Sequence, residues 1–171
     1  LDDRTIGYIA AGEVVERPAQ VVKELIENSI DAGSTRINVE IERGGFDLIS
    51  VSDDGSGIHS DDLALALNRH ATSKLANEND LAKISTLGFR GEALASIGMV
   101  SQMMISSRPK GQAGNSIAMN DGHHGELETC GMAEGTRVEV AFLFKNQPAR
   151  LAFQRRPATE ASKIVDIVVD H

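Results

Sequence analysis

Cysteine occurs once in the 171 residues, at Cys130. That excludes a disulfide within the chain and any cysteine-rich zinc site, and it fits a reducing compartment. No apolar run approaches the ~20 residues that a membrane helix needs, and nothing resembles a signal peptide. Base is short: 17 Lys and Arg stand against 25 Asp and Glu, for a net charge of -8. A pI near 5.1 argues against a chain that wraps nucleic acid alone, because neutralising phosphates takes clustered cations. Any DNA contact is expected to be local or shared. The stretch "KNQPARLAFQRR", residues 145–156, carries basic residues and no acid and reads as a solvated basic face. GxxxxGK[ST] is missing, so an ordinary P-loop is excluded. "SDDGSGIHSDD" lacks the ligand spacing of a calcium loop, and the histidines, His123 and His124 included, show no metal-ligand spacing.

What is present is ordinary globular composition, 41% hydrophobic and 25% charged, long enough for one domain with a real core. Residues 3–14 read as a helix. A second begins near Pro18, tolerated in a first turn, and stops at Gly33. Within it "KELIENSIDAG" sets Val21, Val22, Leu25, Ile26 and Ile30 at helical spacing, while Glu24, Asn28 and Asp31 fall in one narrow arc on another side. Spacing alone leaves that polar row either a wet helix face or a reaction site.

The period then changes to two. "RINVEIERGGFDLISVSDDGSG" alternates Ile37, Val39 and Ile41, turns at Gly44 and Gly45, and returns through Ile49 and Val51. Continued one step, the alternation puts Asp53 inward, where a carboxylate needs a hydrogen-bond donor from protein or ligand. "GTRVEVAFLF" places Thr136 on the face of Val138, Val140 and Phe142, with a backbone partner for its hydroxyl left open. Between helices near 60–68 and 91–99 lies the long connection "RHATSKLANENDLAKISTLGFRG", the kind that serves as a lid or stays disordered. It ends in Gly88, Arg90 and Gly91 at a helix start, a setting suited to phosphate. From residue 100 come strands with turns at "RPKGQAG", "NDG" and "CGMAEG", then a terminal helix from about 158. The chain opens at Leu1 and closes at "IVDIVVDH" inside a still-repeating helical pattern, as expected of a piece of a longer protein.

Taken in order, a helix with Glu24 and Asn28, a strand ending in Asp53 before a GxG, a glycine-flanked Arg90 and an inward Thr136 resemble the ATP-binding motifs of the gyrase, heat-shock chaperone, histidine kinase and MutL superfamily. The closer likeness is to the MutL mismatch-repair family, in "IAAGEVVERPAQVVKELIENSIDAG", "RHATSK" and "LGFRGEALASI", supported by "GTRVEV" and "NQPAR". It covers nearly the whole chain. Two positions depart from the family: Asp54 stands where "DNG" has asparagine, and Gln147 where "NTPAR" has threonine. The first is expected to set two carboxylates beside the base pocket and lower nucleotide affinity.

The resemblance implies an α+β fold, a two-layer α/β sandwich of the GHKL (Bergerat) type with a mixed β-sheet and helices on one face. Residues 1–171 would form the ATPase domain, with transducer and C-terminal dimerisation domains beyond it. It implies ATP and Mg²⁺ as cofactors: Glu24 as general base, Asn28 as the metal ligand, Asp53 on the adenine amine with Thr136 assisting through water. Gly57, Thr72, Ser73, Lys74, Gly88, Phe89, Arg90, Gly91, Glu92, Ala93 and Leu94 would complete the nucleotide site; for Asp31, bracing the helix end is as good a role as ligand contact. The implied output is a slow, ATP-driven conformational clamp. Its partners would be the mismatch-recognition protein MutS, the strand-discrimination endonuclease and helicase of mismatch repair, DNA in the full-length protein, and a second copy through ATP-dependent N-terminal dimerisation. Location would be cytoplasmic in a prokaryote and nuclear in a eukaryote, with no membrane. A phosphotransferase or topoisomerase module, and a binding module with a degenerate pocket, are the competing functions.

Overall fold

A computed structural model describes residues 17–67, 93–145, 151 and 157–170. In chain order these form α1 (Pro18–Asp31), β1 (Ile37–Glu42), a 3-10 turn (Arg43–Gly45), β2 (Leu48–Asp53), α2 (Ser60–Ala66), α3 (93–99), β3 (Gln102–Arg108), β4 (Gly114–Asn120), β5 (His123–His124), β6 (Glu128–Cys130), β7 (Gly135–Ala141) and α4 (Pro157–Asp170). The helix expected over 3–14, and all of the basic 145–156 stretch except Lys145 and Leu151, lie outside the described residues.

The strands make one sheet in the order β1-β2-β7-β3-β4-β5, with β6 also on β4. Every pairing among the described residues is antiparallel. The late strand β7 is inserted between β2 and β3. That insertion pairs Asp53 with Thr136 across β2 and β7, and Ser107 with Thr136 across β3 and β7, so three polar residues from distant parts of the chain meet at one sheet end.

Alternation sorts the two faces. Ile49 and Val51 of β2, Met103 and Ile105 of β3, Ile117 and Met119 of β4, and Val138 and Val140 of β7 are buried, and they share one apolar cluster with Val22, Leu25 and Ile26 of α1, Leu63 of α2, Leu94 and Ile97 of α3 and Ile164 of α4. At about 1.5–3 kcal/mol for each large aliphatic side chain taken from water, this layer is the main force holding helices to sheet.

Two expected core positions differ. Ile30 is 44% exposed, because it falls past the edge of the α1 stripe, and the buried position beside it is Ser29 at 3%. Phe142 does not continue the β7 face: the strand ends at Ala141, and Phe142 takes φ 53, turning its ring to 42% exposure under the Lys145 ammonium, 4.8 Å from its centroid.

The start of α1 has an unusual anchor. Arg17 supplies no side-chain cap, and the Ala19 N–H donates to Oε1 of the fully buried Glu160 from α4 at 3.5 Å. A carboxylate there opposes the positive end of the helix dipole. At the other end the Ala32 N–H bonds the Asn28 carbonyl at 3.0 Å, and the Gly33 N–H bonds Ile30 at 2.9 Å. Gly33 itself lies at φ +75, in the stop conformation glycine permits.

Candidate functional site

The polar row of α1 flanks the buried stripe. Glu24 and Asn28 are half-buried, and Asp31, at the helix end, is exposed. Burial, reinforced by the charge of Glu27 and opposed by that of Lys23, raises the Glu24 pKa above the ordinary glutamate value. A half-desolvated carboxylate with raised basicity, one helical turn from an amide, is equipped to take a proton and to sit beside a cation.

Below the last turn of α1 lies Asp53, inward as the alternation predicts. Its carboxylate is not waiting for a ligand to satisfy it. The Ser29 hydroxyl donates to Oδ2 at 2.6 Å, and Oδ1 accepts the N–H of Gly55 at 2.9 Å and that of Thr136 at 3.3 Å. An adenine amine is therefore not the missing donor that accounts for an inward carboxylate. The protein fixes the carboxylate's orientation and leaves acceptor capacity on Oδ2.

Glycine is required around this group. Gly135 has φ +126, and a Cβ there would lie 1.9 Å from the Asp53 carbonyl oxygen. Gly57 has φ +74, with a would-be Cβ 2.7 Å from the Arg108 carbonyl oxygen, so the GxG loop is pressed onto the β3 end.

The Thr136 hydroxyl pairs with another side chain rather than with backbone: its Oγ1 is 2.8 Å from Ser107 Oγ. Ser107, fully buried, also donates to the Gly135 carbonyl at 3.0 Å and accepts the Ile58 N–H at 2.7 Å. This ties β3, β7 and the GxG loop into one unit.

Asp54 overturns an expectation. Its carboxylate turns away from Asp53 and accepts the Thr35 N–H at 2.7 Å, the Thr35 hydroxyl at 2.5 Å and the Arg36 N–H at 2.9 Å. These bonds, the Thr35 hydroxyl first, lower its pKa from 3.8 to about 2. The second carboxylate caps the 34–36 turn rather than crowding the base pocket, which removes the ground for a degenerate site.

Of the other expected site residues, Gly57 lies in the loop that follows Asp53, against the end of β3. Ala93 and Leu94 start α3 with their side chains buried at 5% and 4%, so what they can offer a ligand is backbone. Thr72, Ser73, Lys74, Gly88, Phe89, Arg90, Gly91, Glu92 and Gln147 lie outside the described residues. Among the described residues no group of three or more His, Cys, Asp or Glu could hold a metal, which leaves the Asn28 amide, beside Glu24, as a lone donor of the kind Mg²⁺ accepts when phosphates and water supply the rest. Sequence reasoning missed Ser29 and Ser107. Each carries a signal in hindsight: a small hydroxyl at a position whose period is otherwise apolar, Val22, Leu25 and Ile26 for Ser29, Met103 and Ile105 for Ser107.

Comparison with known proteins gives a consistent picture. Residues 16–128 match the family model described as "Histidine kinase-, DNA gyrase B-, and HSP90-like ATPase". The DNA mismatch repair protein MutL of Thermoanaerobacter sp. (strain X514) is 54% identical over 98% of the chain, and that of Geotalea daltonii 52% over 98%. The chain spans 28% of each relative's length. Among solved structures, the Aquifex aeolicus MutL ATPase domain complexed with ADP shares 35% identity at TM-score 0.69, covering 91% of this chain and 54% of that one. A crystal structure of the N-terminal domain of a DNA repair protein shares 34% at TM-score 0.80, covering 98% and 49%.

Proposed function

Because the chain belongs to the histidine kinase-, DNA gyrase B- and HSP90-like ATPase family, on its MutL mismatch-repair branch, we propose that it binds ATP against Asp53 and hydrolyses it with Glu24 as general base. The observation that carries this is the continuity of one helix. Glu24, with its raised pKa, and Asn28 share a rim of α1, and the next residue, Ser29, clamps the Asp53 carboxylate.

Asp53 accepts a hydrogen bond from the exocyclic amine of adenine. Three donors already hold its two oxygens, so little ordering is left for binding to impose. Thr136, one strand over in register, takes part through a water. Glu24 orients the attacking water and accepts its proton; partial burial keeps the carboxylate basic enough for that transfer. Bound Mg²⁺ would offset charge on the phosphate oxygens, and Asn28 is the side chain suited to hold it. Lys74, Arg90 and the glycines Gly88 and Gly91, with Thr72, Ser73, Phe89 and Glu92, would close over the phosphates.

At the level of the whole protein, this domain would act as an ATP-driven clamp that pairs with a second copy and signals between MutS, the repair endonuclease and helicase, and DNA. The ADP complex of the Aquifex aeolicus relative supports nucleotide binding, and the acidic balance of this chain, -8 overall, supports DNA contact only as a shared property. The test is titration with ATP in the presence and absence of Mg²⁺, on wild type and Asp53→Asn. Saturable binding that weakens in the variant is expected; equal affinity for the two proteins refutes the pocket.

A further inference from the structure

We propose that Ser107 sets the base preference of the pocket, by holding the Thr136 hydroxyl as a hydrogen-bond acceptor and so favouring a purine that carries an amino group at C6 over one that carries a carbonyl there. This rests on the nucleotide site proposed above and goes beyond it, since Ser107 touches no nucleotide in that reading.

Proton counting carries the inference. A serine hydroxyl has one proton and two lone pairs. Ser107 Oγ has three partners: the Gly135 carbonyl at 3.0 Å, which can only accept; the Ile58 N–H at 2.7 Å, which can only donate; and Thr136 Oγ1 at 2.8 Å. Ser107 is fully buried and Gly135 is buried with it, where unsatisfied polar groups are costly. One assignment satisfies all three contacts: Ser107 donates to Gly135 and accepts from both Ile58 and Thr136. The Thr136 proton is then committed inward, and Thr136 presents lone pairs only. The Asp53 carboxylate beside it is likewise an acceptor, its Oδ2 sharing capacity with the Ser29 hydroxyl.

A pocket end with two acceptors and, among the described residues around them, no free side-chain proton complements an amine, directly or through a water that donates to Thr136. It repels a 6-oxo group, which would set oxygen lone pairs against carboxylate lone pairs. Without Ser107 the Thr136 hydroxyl can rotate and donate outward, and discrimination weakens. A buried hydroxyl on the central strand next to β7 thus acts on base choice through Thr136, as a positioning residue.

The experiment compares ATP with inosine triphosphate, which differs in bearing a 6-oxo group and a protonated N1. Calorimetric titrations are run on wild type, Ser107→Ala, Ser107→Cys, Asp53→Asn and Thr136→Val, with thermal melts to verify folding. Wild type should prefer ATP. Ser107→Ala should lower the ATP to inosine triphosphate affinity ratio by roughly tenfold, the equivalent of one hydrogen bond of about 1.4 kcal/mol, and Ser107→Cys, with its weakly bonding thiol, should lower it less. In a Thr136→Val background, Ser107→Ala should change the ratio no further. If Ser107→Ala fails to fold, Ser107→Cys carries the test. A ratio equal to wild type in the folded variant, with both affinities weakened alike, overturns the proposal and leaves Ser107 a scaffold residue. If Asp53→Asn leaves ATP affinity unchanged, the base binds elsewhere, and the pocket and this proposal fall together.

Discussion

Replacing Ser29 by alanine removes one oxygen and, with it, the clamp on the Asp53 carboxylate. The bond is 2.6 Å long, and Ser29 is 3% exposed on a helix packed against the sheet. A hydrogen bond to an ionised group contributes about 1.5–3 kcal/mol net. Three features pull the expected loss toward the low end. Asp53 keeps the Gly55 and Thr136 N–H donors on its other oxygen, it is half-buried so that water can replace the lost donor, and alanine is the better helix former by about 0.5 kcal/mol. The net destabilisation is then about 1–2 kcal/mol, or a Tm lowered by roughly 2–8 °C for a chain of this size. Binding should weaken too, because the freed Oδ2 must be reordered around the amine, by roughly three- to tenfold, equivalent to about 0.7–1.4 kcal/mol. Urea or thermal melts followed by circular dichroism read the first number and ATP calorimetry the second. A Ser29→Ala protein that melts with wild type and binds ATP equally well would show that the hydroxyl does not hold the carboxylate.

Three further expectations come from the same geometry. Glu24→Gln should keep ATP binding while single-turnover hydrolysis falls by roughly 10²- to 10⁴-fold. In wild type the acid limb of that rate should lie above the ordinary glutamate value of 4.5, because burial raises the Glu24 pKa and the base works only when deprotonated; a limb at or below it would remove Glu24 from the role. Asp54→Asn should leave ATP affinity within about threefold of wild type and alter acid stability instead. The folded pKa is depressed, so the Asp54 contribution is complete above the unfolded value of 3.8 and is lost as pH falls toward about 2; acid titrations of the two proteins that superimpose in that window would contradict the cap. Gly135→Ala should cost at least about 3 kcal/mol and abolish binding, since φ +126 is strained for alanine and its Cβ would lie 1.9 Å from the Asp53 carbonyl oxygen. A stable, ATP-binding Gly135→Ala protein would mean the two strands are not packed this closely.

Local periodicity carried much of this in advance. The start of α1 at Pro18, its stop before Gly33, the hairpin through Gly44 and Gly45 and the inward aim of Asp53 are properties of neighbouring residues, and period and turn chemistry report them. The orientation of Asp54 was legible as well, since adjacent residues at a strand end point to opposite sides; the motif likeness, which pairs the two aspartates, obscured it. What periodicity does not encode is strand order. Asp53 meets Thr136 only because β7 enters the sheet beside β2, a contact between residues 83 apart. Ser29 and Ser107 are not legible for the same reason, since the carboxylate, amide, carbonyl and hydroxyl that they bind come from other elements. Ile30 and Phe142 depart for a common reason: Ile30 lies in the last turn of α1 and Phe142 just past the end of β7, where the helix stripe or the strand alternation no longer governs the side chain.

The most direct measurement is single-turnover hydrolysis of ATP with Mg²⁺, protein in excess, on wild type and Glu24→Ala side by side, with ATP affinity measured by calorimetry on the same preparations. With Glu24 as the base, the variant should bind within about threefold of wild type and hydrolyse roughly 10²- to 10⁴-fold more slowly. Equal rates for the two proteins would contradict the assignment of α1 as the catalytic helix.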